Sequence, residues 1–428
     1  MTSNLEKSSA LPVPQFDHPV WLSARKAELQ RGLRKYFWQG QKLQEKALVT
    51  VSESASLQER IFIKYRRQIG FIIPPIFFGL LWLSLAIRHN YFQYFPAKYM
   101  MSVTMLVGSF IGGATCEGSG AVAFPVMTLL FNTPSTVASD FSLMEQSFGL
   151  TAATFTVFWN KLQLEYRSIV FSTLGGTVGL ILSLEFLDPL IPDSIKKMVF
   201  VSVWASFAVA LFTANRRRSH QMSDRIEKFT WWKAVLLTGI GMIGGFFTAI
   251  SGSGVDLCTF SMLTLLFMVS EKVATPTAVV LMAINSVVGV FWRHLMMNGI
   301  STEAWEYLAV SVPVSVTMAP LGALIASHFH RQTLACLIYI LEAVSLISWY
   351  VIIRPSLYMV LESCGIMLAG ALWFFGLSLF GQWLKRREHR NDAGHSIVPE
   401  IPSISKILTE THTVATILED ELFPSQAA

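Results

Sequence analysis

The sequence predicts an all-α polytopic membrane protein built from two inverted repeats. Each repeat is expected to hold a glycine-rich broken, re-entrant helical hairpin plus three transmembrane helices, with one extra helix at each end of the chain. Of the 428 residues, 52% are hydrophobic and 14% are charged, whereas a soluble globular chain carries about 25% charged residues. The mean hydropathy is +0.48, so most of the chain is expected to be solvated by lipid.

A long pattern that occurs twice predicts the two repeats. It joins a Gly pair to a Gly-Ser-Gly and then to an apolar run ending in Thr-Leu-Leu-Phe. Its copies are "GGATCEGSGAVAFPVMTLLF" (Gly112–Phe131) and "GGFFTAISGSGVDLCTFSMLTLLF" (Gly244–Phe267). The segments "MTLLFNTPSTVAS" and "LTLLFMVSEKVAT" then align without a gap. Internal repetition of this kind is common among secondary transporters.

Basic clusters decide how the two interrupted segments, Tyr99–Phe131 and Trp231–Met268, sit in the membrane. Both are too long for one straight span of about 20 residues. If each enters, turns at its glycines and returns, "ANRRRSHQMSDRIEK" and the other basic clusters fall inside, as the positive-inside rule requires. Each half then has an odd number of crossings, so the halves are inverted and both termini are cytoplasmic. Such inverted repeats with discontinuous helices bind substrate at the repeat interface.

The apolar spans and the basic clusters together give the predicted organisation of the chain. The parts are a cytoplasmic basic amino-terminal region (1–68), a first transmembrane helix and loop (69–98), repeat 1 (99–230), repeat 2 (231–355), a last transmembrane helix (356–385) and a cytoplasmic tail (386–428). The net charge of +5 comes from clusters beside apolar spans, so we expect no nucleic-acid partner. An amphipathic pattern favours a helix in the amino-terminal region, on the membrane surface or solvated in the cytosol, and a short one in the tail.

We expect neither a cofactor nor a metal site. No G-x-x-x-x-G-K-[ST] phosphate loop occurs in the sequence. The 4 cysteines lie in apolar segments without metal-ligand spacing. Cys116, Cys258, Cys336 and Cys364 are therefore each expected to be a small buried hydrophobe.

The two Gly-Ser-Gly turns are the predicted binding site for a small anion. Glycine reaches positive φ without a Cβ clash, and the half-helix after each turn offers free N–H groups at the positive end of its dipole. Nearby hydroxyl groups add donors. The candidate substrate-binding residues are Thr115, Gly118, Ser119, Gly120, Ser251, Gly252, Ser253 and Gly254. The alternative is that these small residues only permit tight helix packing.

Acidic residues inside the pattern are candidates for ion coupling. Glu117 and Asp256 come first, because an ionisable residue at membrane depth is costly and marks function by default. Protonation would permit anion binding, and deprotonation would release the anion. A cation site is the competing interpretation, and a carboxyl group bonded to turn amides for structure alone is the third. Further coupling candidates on the helices after the turns are Asp140, Glu145 and Asn285.

Other ionisable residues in or beside apolar segments carry less context. Glu342 and Glu362 lie within predicted spans. Arg293 and His294 end a helix behind a tryptophan, so their side chains are expected to extend to the membrane interface.

These motifs resemble the sulfite exporter TauE/SafE family, also called the 4-toluene sulfonate uptake permease family. The resemblance covers Met101–Ile353 and includes "FPVMTLLF", "FSMLTLLF", "VASDFSL" and "VPVSVTMAPLGALIAS". It implies a carrier of the bacterial inner membrane for sulfite, sulfonates and related small anions. The chain departs from the family where a run of glycines is usual, since it has "EGSG" and "SGSGVD" instead. Pro125 is present but lacks a counterpart in the second half.

The combined expectation is a secondary transporter, not an enzyme. It would move a small anion, a sulfur oxyanion or organosulfonate, across a lipid bilayer by alternating access with proton coupling. The first alternative is a cation-coupled carrier of another small organic solute. An intramembrane serine hydrolase using His294 is a second, opposed by the duplication of the serine turn because one nucleophile suffices. The sequence leaves open whether the carrier forms a homo-oligomer.

Overall fold

The computed structural model describes residues 28–31, 65–217, 222–326, 329 and 331–395. The helix predicted in the tail lies outside these residues, as does all of the amino-terminal one except 28–31. By its contacts the chain divides into two compact units, residues 1–378 and 379–428. The described part of the second unit is the end of the last helix.

Helices account for nearly all of the described chain. They are α1 Arg66–His89, α2 Phe95–Ala114, α3 Gly120–Pro125, α4 Ser135–Trp159, α5 Tyr166–Leu182, α6 Asp193–Arg217, α7 Trp231–Ser251, α8 Val255–Ser261, α9 Glu271–Phe291, α10 Thr302–Ala326, α11 Arg331–Ile353 and α12 Leu357–His395. Short 3-10 turns span Tyr91–Tyr94 and Asp188–Leu190. A π-helical turn extends α3, α5, α8 and α9, at Val126–Leu130, Ser183–Leu187, Met262–Leu266 and Trp292–Met296.

Most of these helices suit a lipid bilayer. In the described part of the chain, 8 helices are long and apolar enough to cross a membrane, namely α1, α5, α6, α7, α9, α10, α11 and α12. The predicted all-α polytopic class is thus confirmed. The expected burial of every cysteine is wrong for Cys336 and Cys364, which are exposed on α11 and α12. An exposed helix face in a membrane contacts lipid, where a small hydrophobe needs no protein cover.

Both long segments are interrupted at their glycines, as predicted. In the first hairpin (α2 and α3), a β-carbon at Gly108 would lie 3.3 Å from Val122 Cβ. One turn further along α2, a β-carbon at Gly112 would meet the backbone nitrogen of Ser119. The half-helix α3 therefore doubles back along the end of α2. In the second hairpin (α7 and α8), a β-carbon at Gly244 would lie 2.6 Å from Val255 Cα, so α8 returns along α7 in the same manner.

Helices α2 and α10 pack with their backbones in contact. A β-carbon at Gly113 of α2 would overlap the carbonyl oxygen of Ala319 in α10. In the reverse direction, a β-carbon at Gly322 of α10 would overlap the carbonyl oxygen of Phe110 in α2. Only glycine permits so close an approach at these two positions.

Helices α5 and α7 make a second contact of the same kind between the two halves of the chain. A β-carbon at Gly245 of α7 would overlap the carbonyl oxygen of Gly176 in α5, and one at Gly179 of α5 would overlap that of Met242 in α7. The contacting residues stand three apart on each helix, as they do in the α2–α10 contact. We call these two contacts, through Gly113 and Gly322 and through Gly179 and Gly245, the glycine seams. The hairpins and the middle of α4 lie between the seams, and their side chains are almost all buried.

Candidate functional site

The turns of the two hairpins touch each other in the middle of the protein. Ser253 Oγ of the second turn donates a hydrogen bond to the Glu117 carbonyl oxygen of the first, at 2.7 Å. The first glycine of each Gly-Ser-Gly lies in the left-handed region, with φ of 68° at Gly118 and 78° at Gly252. Both turns thus use glycine for the positive φ that the sequence predicts.

Glycine is also needed at these turns because neighbouring groups approach closely. A β-carbon at Gly118 would lie 2.9 Å from Ser253 Oγ and 2.8 Å from Asp256 Oδ2. A β-carbon at Gly120 would lie 3.1 Å from Ser253 Cβ, and one at Gly254 would lie 2.6 Å from Phe247 Cβ. The glycines of the first turn therefore leave room for the Ser253 and Asp256 side chains of the second.

Helix α4 forms a polar wall beside both turns. Gln146 Nε2 donates to the Gly252 carbonyl oxygen of the second turn, at 2.5 Å, while the side chain also faces Gly118 and Gly120 of the first. Its Oε1 is buried and has no hydrogen-bond partner among the described residues. The sequence-based site omitted Gln146. Its position beside Glu145, in an otherwise apolar and small-residue helix, was the available signal.

Glu145 joins α4 to the first hairpin. Its carboxylate accepts hydrogen bonds from Ser109 Oγ of α2, at 2.8 Å, and from Ser119 Oγ of the turn. Ser109 Oγ also lies 3.0 Å from Ser315 Oγ on α10. The structure thus brings this coupling candidate and the candidate binding residue Ser119 together.

The hydroxyl groups proposed as anion donors have acceptors inside the protein. Thr115 Oγ1 donates to the Ile111 carbonyl oxygen at 2.9 Å. Ser251 Oγ donates to the Ser253 carbonyl oxygen, also at 2.9 Å. These bonds, with those of Ser119 and Ser253, hold the ends of the turns in shape. A bound anion would have to draw a hydroxyl away from its present acceptor.

Asp256 binds the amides of its own turn. Its Oδ1 accepts from the backbone N–H of Gly254 and of Leu257, both at 2.9 Å. Its Oδ2 lies 3.0 Å from Ser253 Oγ. The start of α8 therefore has a carboxylate oxygen bound at its N–H groups, as expected for a helix N-terminus. This arrangement matches the structural interpretation of Asp256 that the sequence left open.

Glu117 does not turn back on its own hairpin. Its side chain is fully buried, and neither carboxyl oxygen receives an N–H or O–H from the described residues. The carboxyl group instead lies within hydrogen-bonding reach of the Glu342 carboxyl group on α11. Sequence reasoning gave Glu342 little context because it lies far along the chain from the repeated pattern.

The side chains of Asp140 and Asn285 bind partners outside the two turns. Asp140 Oδ1 accepts from Arg293 Nε at 2.8 Å, which joins the start of α4 to the end of α9. Arg293 is held by this ion pair with a side-chain exposure of 12%, and its position at the membrane interface stays a prediction. Asn285 Nδ2 donates to the Leu281 carbonyl oxygen at 2.8 Å, and its Oδ1 lies beside Gly176 of α5.

A cavity of about 90 Å³ leads from the protein surface to the first turn. Its lining includes Thr115 and Cys116 of that turn, Glu271 and Lys272 at the start of α9, and Ile338 of α11. Among the described residues, no three His, Cys, Asp or Glu side chains are placed to hold a metal ion. The cavity can admit water or a small ion to one side of the site.

Comparison with known proteins places the chain in a family. Residues 100–349 match the family model described as Sulfite exporter TauE/SafE. No curated protein and no solved structure matches the chain. The family match spans more than half of the 428 residues and includes both hairpins. The chain therefore belongs to the sulfite exporter TauE/SafE family.

Proposed function

We propose that the protein carries a sulfite-like oxyanion or organosulfonate across a bacterial inner membrane by alternating access. The family is one of membrane transporters for sulfur anions, not of enzymes. The observation that carries the proposal is the contact between the two turns, where Ser253 Oγ donates to the Glu117 carbonyl oxygen. Two discontinuous helices that meet deep within a helical membrane protein are typical of a carrier's substrate site.

The matched glycine seams support two inverted repeats. The α2–α10 contact through Gly113 and Gly322 has the same form as the α7–α5 contact through Gly245 and Gly179. In each case the first helix of one proposed repeat packs on the second helix after the hairpin of the other. An exchange of partners of this kind is what a twofold axis between the repeats requires. With the basic clusters inside, both termini would be cytoplasmic.

Asp256 indicates how the site would recognise its substrate. The N–H groups of Gly254 and Leu257 bind a carboxylate oxygen, and a sulfite oxygen presents the same charge and acceptor geometry. In the first turn, the N–H groups of Gly118 and Ser119 have no acceptor among the described residues. Movement of the Asp256 side chain off these amides would let an oxyanion take its place between the two turns.

The cavity gives the proposed side of entry. It is bordered by Leu162 and Phe329, which belong to the loops after α4 and α10. The basic residues of those loops are the ones that the positive-inside rule assigns to the cytoplasm. We therefore infer that the conformation described here gives access to the first turn from the cytoplasmic side.

A flux assay tests the proposed function. The full chain is reconstituted in liposomes and given sulfite, thiosulfate, a sulfonate or acetate under an imposed pH gradient. We expect sulfite or sulfonate to accumulate faster than in protein-free vesicles, with acetate as the control for a carboxylate of similar size. If no anion moves, the proposal is wrong.

A cation-coupled carrier of another organic solute is the second candidate. It is favoured by the burial of three carboxyl groups, Glu117, Glu145 and Asp256, around the turns. Asp256→Asn separates the two candidates in the same liposomes. Sodium-independent flux that keeps its pH dependence would favour proton-coupled anion transport, whereas loss of a sodium dependence shown by the wild type would favour a cation site at Asp256. The hydrolase alternative is abandoned, since the family is a transporter family and the His294 ring packs on Trp305.

A further inference from the structure

Two buried carboxyl groups face each other where the first hairpin meets α11. Glu117 has an exposure of 0% and Glu342 of 2%. All four of their carboxyl oxygens are enclosed, and none receives an N–H or O–H from the described residues. Every other acid near the turns has such donors: Glu145 has two serine hydroxyls, and Asp256 has two backbone amides.

A proton is the partner that this geometry lacks. The two carboxyl groups lie within hydrogen-bonding reach of each other, yet two carboxylates offer only acceptors. Two unscreened negative charges at this distance in a dry interior would repel strongly. One proton converts the contact into an O–H···O⁻ hydrogen bond, which is short and strong.

The cavity reaches residues next to this pair, and neither glutamate itself lines it. Its lining includes Cys116, the residue before Glu117, and Ile338, which lies one helical turn before Glu342 on α11. The cavity thus ends beside the carboxyl pair. Asp256 Oδ2 also lies beside the first turn, 2.8 Å from the β-carbon position of Gly118.

We propose that Glu117 and Glu342 together bind one proton, which is the coupling ion of the carrier. The assignment rests on the transport function proposed above. In the protonated pair, one carboxyl group donates to the other. Release of the proton toward the cavity leaves two carboxylates, whose repulsion moves the first hairpin relative to α11. The movement reaches the substrate site because the Glu117 carbonyl oxygen accepts the hydrogen bond from Ser253.

Infrared spectroscopy of the full chain in nanodiscs tests the proton site without any substrate. The wild type should show a protonated-carboxyl C=O band that is lost as the pH rises. Glu342→Gln and Glu117→Gln should each shift or remove this one band, because its position depends on the hydrogen bond between the two groups. Glu362→Gln, on the partly exposed face of α12, is the matched control and should leave it in place. A band unchanged in both test variants would overturn the proposal.

Proton movement during transport tests the coupling. Liposomes containing a pH-sensitive dye report protons moved per anion. In Glu342→Gln, proton movement should fall to the level of protein-free vesicles, while any remaining anion flux proceeds without it. If Glu342→Gln transported the anion and still moved protons at the wild-type level, the coupling role would be overturned. If the wild type moves no anion, the transport function is wrong, and the infrared titration alone decides whether the pair binds a proton.

Discussion

The two hairpins share a sequence pattern but handle their acidic residues in opposite ways. In the second hairpin, Asp256 turns inward and binds the Gly254 and Leu257 amides. In the first hairpin, the Glu117 side chain points to the Glu342 carboxyl group and makes no hydrogen bond to the amides of its own turn. Similar glycine turns can therefore hold one acid that fits the anion-binding amides and one that is available for a proton.

The lengths of the segments explain part of this difference. Helix α2 ends at Ala114, directly after the Gly pair, whereas α7 continues past its Gly pair to Ser251. The first turn is consequently longer and presents Glu117 before its left-handed glycine, while Asp256 follows the second turn inside the first turn of α8. An acid in the first turn of a helix can reach N-terminal amides, whereas Glu117 lies two residues before Ser119, the N-cap residue of α3.

The largest effect is expected from filling a glycine seam. Gly113→Val places side-chain atoms where the Ala319 carbonyl oxygen lies, so α2 and α10 must separate. We expect a loss of stability of about 1–3 kcal/mol, as for other overpacked sites, together with loss of anion flux. The lower midpoint of thermal unfolding in detergent and the liposome assay measure these effects.

Gly239→Val is the matched control for the seam. Gly239 lies on α7, and a β-carbon there would meet nothing within 4 Å. This variant should keep wild-type stability and flux. If Gly113→Val behaved like the control, the backbone contact between α2 and α10 would not exist in the membrane.

Alanine at the left-handed glycine of each turn sharpens the comparison of the hairpins. Gly118→Ala and Gly252→Ala each place a side chain at positive φ, which costs about 1–2 kcal/mol. At the first turn the added carbon meets the outer atoms of three side chains, those of Gln146, Asp256 and Ser253. At the second it meets Ser142 Cβ and the Ser139 carbonyl oxygen of α4. We therefore expect Gly252→Ala to reduce flux more than Gly118→Ala.

Gly79→Ala on α1 is the control for the turn substitutions, since no atom lies within 4 Å of its β-carbon position. Its flux should equal that of the wild type. A Gly118→Ala defect as large as that of Gly252→Ala would show that the two turns are equally constrained.

A smaller effect is expected from removing the hydroxyl that joins the turns. Ser253→Ala deletes the hydrogen bond to the Glu117 carbonyl oxygen, and a bond of this kind contributes about 0.5–1.5 kcal/mol. The KM for the transported anion should rise by a corresponding factor of about 2–10. Ser84→Ala, which removes an exposed hydroxyl on α1, should leave KM unchanged. An unaltered KM in Ser253→Ala would place the substrate elsewhere.

The smallest perturbation tests the opposite orientation of the hairpins. Single cysteines near Arg217 and, near Asp188, at the exposed Leu190, in a background without the native cysteines, are labelled with a membrane-impermeant thiol reagent. The inverted arrangement predicts labelling at 190 from the periplasm and near 217 only after the membrane is opened. Periplasmic labelling at 217 would mean that the hairpins do not return to their starting side.

Features with local causes could be predicted from the sequence. The helices, the interruption at both glycine patterns and the positive φ at Gly118 and Gly252 follow from hydropathy and from glycine's missing side chain. The assignment of the family rests on the same motifs. Sequence reasoning also expected polar groups to gather at the turns, which holds for Glu145 and Ser119.

Contacts between distant segments could not be predicted from the sequence. Glu342 reaches Glu117 only because α11 packs against the first hairpin, and nothing in the pattern near Glu342 marks that partner. The Arg293–Asp140 ion pair was missed for the same reason. The direction in which Asp256 points depends on where α8 begins, and helix boundaries are the part of a sequence-based prediction that is least precise.

The bare backbone seams have a mechanical consequence. Surfaces made of carbonyl groups and glycine Cα atoms, as between Gly113 and Ala319 or between Gly245 and Gly176, carry no side chains to interlock. One helix can tilt over the other without any rotamer change at these points. Because the seam residues are themselves buried, and Gly113 borders the cavity, the low resistance to rocking lies next to the polar centre.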